Sequence, residues 1–257
     1  MDQVQEERSP KQLRVFGILS EAIETIVNQH KRIAIALAVP FFVALWFQLY
    51  GVYVLEIDPN NSRSWINFVL KFLLAIAAVT CHRIVLLGAD SVAKFGTSAT
   101  ENYFWRYILR GILMGLILFL LIIPLALIMP MFFKLLDVGS ANQTAIEHLI
   151  SLIVIAPVVV AFAYFFGQMS LVLPAAAIGR KLGIIDTFEL SKGNAWKVAI
   201  LVLGAPFIDD AVILLISQFI DGPTVILLKF IMQWLLLPFE IALLSLCYKH
   251  LSEARNP

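Results

Sequence analysis

Six long apolar runs, near residues 33–55, 65–87, 105–133, 146–173, 195–220 and 225–248, constrain this 257-residue chain more than any other feature. Crossing a hydrocarbon core of about 30 Å takes roughly 20 residues of helix, and each run is long enough. Inside lipid, backbone N–H and C=O groups must find partners within the protein, which leaves helices and closed barrels as the only spanning structures. The runs are continuous rather than alternating, and that excludes a barrel. Hydrophobic residues make up 60% of the chain, well above soluble domains. The expected fold is all-α: a polytopic membrane helix bundle of six transmembrane helices plus an N-terminal amphipathic interfacial helix, forming one domain over residues 1–257.

The first 32 residues are polar, and the first apolar run is too long for a signal h-region, so no cleaved leader is expected. Within them, Val15, Phe16, Leu19, Ala22, Ile23, Ile26 and Val27 recur at helical spacing, with Glu21, Glu24 and Asn28 on other faces. This pattern suits either a helix lying in the membrane interface or one packed under the bundle on its water side. Cys81 and Cys247 sit near the ends of apolar runs with no pairing pattern or metal spacing, and read as small reduced fillers.

Orientation follows from lysine and arginine in the short loops. Fifteen lie on the N-terminal side: Arg8, Lys11, Arg14, Lys31 and Arg32; Arg83, Lys94, Arg106 and Arg110; Arg180, Lys181, Lys192 and Lys197; Lys249 and Arg255. The other side holds two, Arg63 and Lys134. Both termini are therefore expected in the cytoplasm. Asn28, Lys31 and Pro40 match Asn194, Lys197 and Pro206 in spacing, a weak sign of a duplicated hairpin that chance also explains in so repetitive a composition.

The connector 180–197 carries helix stop and start signals back to back. Asp186 can cap a short helix with Glu189 as the reciprocal half of a capping box. Gly193 suits the residue after a helix end, and Asn194 can cap the next span. Trp196 stands where interfacial anchors are favoured. The expectation is a shallow amphipathic elbow acting as an interfacial hinge that aims the fifth span.

Three segments carry a resemblance. They are Leu171-Val-Leu-Pro-Ala-Ala-Ala-Ile-Gly-Arg180 continued by 186–196, His82-Arg-Ile-Val-Leu-Leu-Gly88, and Ser245-Leu-Cys-Tyr-Lys-His-Leu251. Together with the six-span layout they resemble a group of bacterial integral membrane proteins similar to the membrane domain fused to some glycerophosphoryl diester phosphodiesterases. The resemblance implies a bacterial inner-membrane location. It carries over no catalytic residue, because the apolar runs leave no room for the soluble catalytic domain.

Charge inside a bilayer is costly, so each such group should face a partner or a cavity. Lys71 and His82, and likewise Lys229 and Glu240 with Gln233 between them, lie eleven residues apart on nearly one helical line. Asp209 and Asp210 sit on the fifth span. Depth estimates let one or both lysines meet the aspartates, and let Glu240 pair with His82 beside Arg83. One reading is structural ion pairs and snorkelling lysines. Another is a polar path, to which the adjacent aspartates lend weight. A third is a break at Gly204-Ala-Pro206 that opens a water-filled indentation.

No histidine–carboxylate cluster, phosphate loop or nucleophile motif is present, so no enzyme, metal or cofactor is expected. Nothing suggests nucleic acid as a partner. The expected partners are the lipid bilayer and another membrane protein or a second copy. The leading functional expectation is a non-enzymatic scaffold, assembly or envelope-homeostasis factor, and the alternative is a small transporter or channel-like carrier.

Overall fold

The computed structural model describes residues 12–54, 65–97, 99–135, 145–220 and 222–255. Among them the chain forms α1 (Val15–Tyr53), α2 (Trp65–Leu87), a short 3-10 turn (Ala89–Ser91), α3 (Asn102–Leu135) and α4 (Ala145–Ser170). There follow α5 (Val172–Ala177), α6 (Ile184–Leu190), α7 (Ala195–Ile216) and α8 (Pro223–Arg255). Six helical segments are long and apolar enough to cross a membrane, with α4 and α5 sharing one of them. Pro40, Pro157, Pro206 and Pro238 all lie inside helices. Spans tolerate this because neighbouring groups can take up the freed carbonyls.

The order of the spans puts the chain's N-terminal segment, the loop after α2, the α5–α7 connector and the end of α8 at one end, here termed the basic end. The axis of the bundle is α8, which packs on α1, α2 and α7. In its most apolar window 56% of residues are buried, against 11% in α3, so α3 is a peripheral span. One core cluster joins α1, α2 and α8 through Leu37, Ala77, Cys81, Trp234 and Leu237. A second, nearer the basic end, joins Ile18, Ala22, Leu171, Val198, Leu243 and Tyr248. Small residues let the helices approach closely. A Cβ on Gly167 of α4 would lie 2.6 Å from Ala199 Cα of α7, so only glycine fits that crossing. Both cysteines are buried and free.

The separate interfacial helix is not observed. Residues from Val15 onward run without a break into the first span, giving one helix of 39 residues, about 58 Å long. The polar stretch 28–32 contains neither Gly nor Pro, so it marks the membrane boundary without ending the helix. The segment is amphipathic, but Ile18 and Ala22 turn toward the end of α8 rather than toward lipid. There His250 Nε2 lies 2.6 Å from Glu21 Oε2, and Lys249 Nζ lies 4.0 Å from Glu21 Oε1. Because α8 reaches Arg255, its end and the start of α1 lie together at the basic end as a paired stalk.

Other boundaries shift for local reasons. The fourth span bends at Leu171 and continues through Pro174, which takes an early position of α5 where its missing N–H costs nothing. α7 stops at Ile216 and passes through 204–206 without the break expected there. The proposed repeat does not hold locally. Asn28 is an exposed residue inside α1, whereas Asn194 is buried immediately before α7.

Candidate functional site

At the basic end the three resemblance-bearing segments come into contact. His82 Nδ1 lies 2.7 Å from Ser245 Oγ, joining α2 to α8 across fully buried surroundings. The His82 ring stands 5.7 Å from that of Tyr107 on α3, and its Nε2 has no hydrogen-bond partner among the described residues. His82 therefore does not pair with Glu240, which sits half-buried elsewhere on α8. Arg83 is used as a clamp. Its Nη1 donates to Ala177 O at 3.1 Å, its Nε and Nη2 donate to Ser91 O, and its guanidinium lies 3.9 Å over the Tyr103 ring. From α1, Arg32 holds the same turn through Ala89 O and Val92 O at 3.2 and 2.7 Å. Two arginines thus satisfy carbonyls of the turn after α2, and Arg83 also satisfies one at the end of α5.

The elbow is stapled to α4. Ser191 Oγ donates to Gln168 Oε1 at 2.9 Å and to Thr187 O at 2.8 Å, and all three residues are buried. Capping is shifted by three residues from the expected box. Gly183 precedes α6, and Asp186 Oδ2 accepts from Gly183 N at 2.8 Å, so Asp186 is the reciprocal member and Glu189 lies outside the cap on the exposed side. Gly193 has the expected left-handed backbone, with φ at 78°. Asn194 occupies the cap position of α7, yet its Oδ1 accepts from Leu13 N at 2.8 Å and makes no side-chain cap bond. It anchors the N-terminal segment to the elbow. Trp196 is exposed, with its ring 4.8 Å from Tyr164.

Toward the opposite end, α1, α2 and α8 border a groove of about 420 Å³. Gln48, Asn67, Lys71, Lys229 and Gln233 supply its polar lining. Lys71 and Lys229 each lie six residues into their helices, about 9 Å from that end. Lys229 Nζ reaches Asp210 Oδ1 of α7 at 3.4 Å, with the two side chains 56% and 68% exposed. Lys71 makes no ion pair among the described residues. Asp210 itself does not line the groove, and the side chain of Asp209 lies outside the described residues. Trp234 and Leu74 close the groove inward, above the core cluster of Leu37, Ala77 and Cys81. Among the described residues, no group of three His, Cys, Asp or Glu side chains could hold a metal ion.

The structure thus puts Lys71, Lys229 and Gln233 on one groove, and of the lysine–aspartate pairings that depth allowed it shows Lys229 with Asp210. Sequence reasoning missed Ser245 as the partner of His82, and Gln168, Thr187 and Leu13 as partners of the elbow. Those pairs are separated by 163, 23 and 181 residues where His82–Ser245, Gln168–Ser191 and Leu13–Asn194 are concerned, and no local pattern announces them.

Compared with protein-family models, curated proteins and solved structures, the chain matches none. The fold by itself defines the class, a multi-pass α-helical membrane protein.

Proposed function

We propose that this is a non-enzymatic inner-membrane protein with cytoplasmic termini that works as a scaffold or assembly factor, of the bacterial six-span type described above. One observation carries the reading. On the part of α1 that precedes the polar stretch 28–32, Phe16, Ile23 and Val27 form one stripe, with Phe16 86% exposed. A row of large apolar side chains on the water side, uncovered by any described residue, is the kind of face another helix docks on. The stapled elbow and the arginine clamps hold that stalk in a fixed relation to the spans. The only His–Ser hydrogen bond among the described residues is sealed from any opening, which fits a structural role better than catalysis.

The test is particle mass after extraction in polymer nanodiscs that keep native lipid. A scaffold gives a protein mass above the 28.7 kDa of one chain, lost on Phe16→Ser/Ile23→Ser/Val27→Ser with the melting transition retained. A single chain in every particle would sink the reading.

The groove with Lys71, Lys229 and Gln233 favours a second reading, a small carrier for an anionic solute. A carrier must open to both sides, so Gln233→Cys would react with an impermeant thiol reagent from either face. Labelling from one face alone fits the closed floor and the scaffold reading.

A further inference from the structure

We propose that Arg106, Arg110, Arg180 and Lys181 form a binding site for the phosphate headgroup of an anionic phospholipid in the leaflet at the basic end. These four cations, with Leu109 and Ala176, line a pocket of about 280 Å³. They come from two places far apart in sequence. Arg106 and Arg110 are successive turns of α3, and Arg180 and Lys181 belong to the loop between α5 and α6. The positive-inside tendency puts basic residues at this end but does not require them to converge on one pocket.

None of the four makes an ion pair among the described residues. Arg106 Nη1 donates to Gly179 O at 3.4 Å. Asp186 lines an adjoining groove with Arg180 and Lys181, but it is within ion-pair distance of neither. Among the described residues, then, no carboxylate is paired with any of the four cations. Three of the four cations are arginines, whose planar fork matches phosphate oxygens.

What singles out a lipid over a soluble phosphate is the surface that continues from the pocket. On α3, Leu109, Leu113, Leu116 and Leu120 are all exposed and share one helical face with Arg106 and Arg110. Beginning at the pocket wall, this stripe runs about 16 Å along the helix into the span. Trp105, exposed beside Arg106, marks the headgroup level, where tryptophan is favoured. A phosphate held by the cations would let its acyl chains lie along the leucines, and basic pockets between spans on this side suit such headgroups. The inference goes beyond the scaffold reading and stands whether or not a protein partner docks on α1.

Native mass spectrometry of the purified, delipidated full-length protein in detergent tests it. The probes are tetraoleoyl cardiolipin, dioleoyl phosphatidylglycerol, dioleoyl phosphatidylcholine and glycerol 3-phosphate. Both anionic lipids should remain bound and phosphatidylcholine should be lost. Arg106→Gln/Arg110→Gln should weaken cardiolipin binding about tenfold or more, one charge-assisted contact being worth roughly that factor. Arg180→Gln/Lys181→Gln, in an exposed loop, should do the same with an unchanged melting transition, which covers the case where the α3 variant misfolds. Lys192→Gln/Lys197→Gln, basic residues of the same end outside the pocket, should change it less than about twofold. Equal loss in that control would reduce the effect to the general charge of this end and overturn the site. Equal retention of phosphatidylcholine, or displacement of the lipid by equimolar glycerol 3-phosphate, would also overturn it.

Discussion

At the scale of single residues, buried polar groups in this bundle matter through the partners they have. Ser245 supplies the hydrogen bond to His82 Nδ1 in a site with no exposure, and the imidazole's other nitrogen already lacks a partner. Removing the hydroxyl leaves the ring with no hydrogen bond. Ser245→Ala should therefore cost about 1–3 kcal/mol, read as a lower melting temperature in detergent. Ser245→Thr, which keeps the hydroxyl, should lose less. Lys229 and Asp210 pose the opposite case, a pair on an exposed flank at one level of the span. In an apolar surround, either charge alone is worse than neither. Lys229→Met and Asp210→Asn should each lower folded yield in membranes more than the double variant does. Independent, additive losses would show that the pair is not coupled.

At the scale of elements, the N-terminal segment depends on one side chain seated far along the chain. Leu13 N donates to Asn194 Oδ1, and Leu13 and Ile18 then pack against the end of α8. Asn194→Ala removes this anchor while leaving the left-handed Gly193 and the stapled elbow in place. Hydrogen exchange should become faster over the first turns of α1 and stay slow over the first turns of α7. Equal acceleration in both would mean that Asn194 works as a cap for α7 after all. The elbow itself is held by Ser191, Thr187 and Gln168 and by the Gly167–Ala199 crossing, which tie α6 and α7 to α4.

Across the whole molecule, charge asymmetry and helix order together carry the proposed topology. Reporter fusions placed after Arg63 and after Lys134 should give the external signal, and a fusion after Lys249 the cytoplasmic one. A cytoplasmic signal at either of the first two positions would refute the orientation. The same organisation explains the division of labour along the bundle axis. At the basic end the polar groups interlock: two arginines clamp the turn after α2, and Asn194 and Ser191 tie the connector down. At the opposite end Lys71, Lys229 and Gln233 border an open groove.

Lipid as the solvent made the spans legible in the sequence. A run of apolar residues long enough to cross it has few alternatives to a helix, so six helices and the basic end followed from composition and order alone. Helical periodicity also put Lys71, Lys229 and Gln233 at compatible depths, and their shared groove was legible to that extent. The left-handed Gly193 was readable too, because glycine after a helix end has a local cause. Tertiary structure decided the rest, for a physical reason common to every case. The polar stretch before the first span reads as a boundary, but its helix continues because α8 offers Ile18 and Ala22 a surface to pack on. Asn194 has the chemistry of a cap, but the backbone N–H of Leu13 takes its oxygen. His82 could have met Glu240 by depth, yet the rotation of α8 brought Ser245 to it. Local pattern sets where a helix can form, whereas the partner of each polar group depends on helix rotation and approach, which only packing fixes.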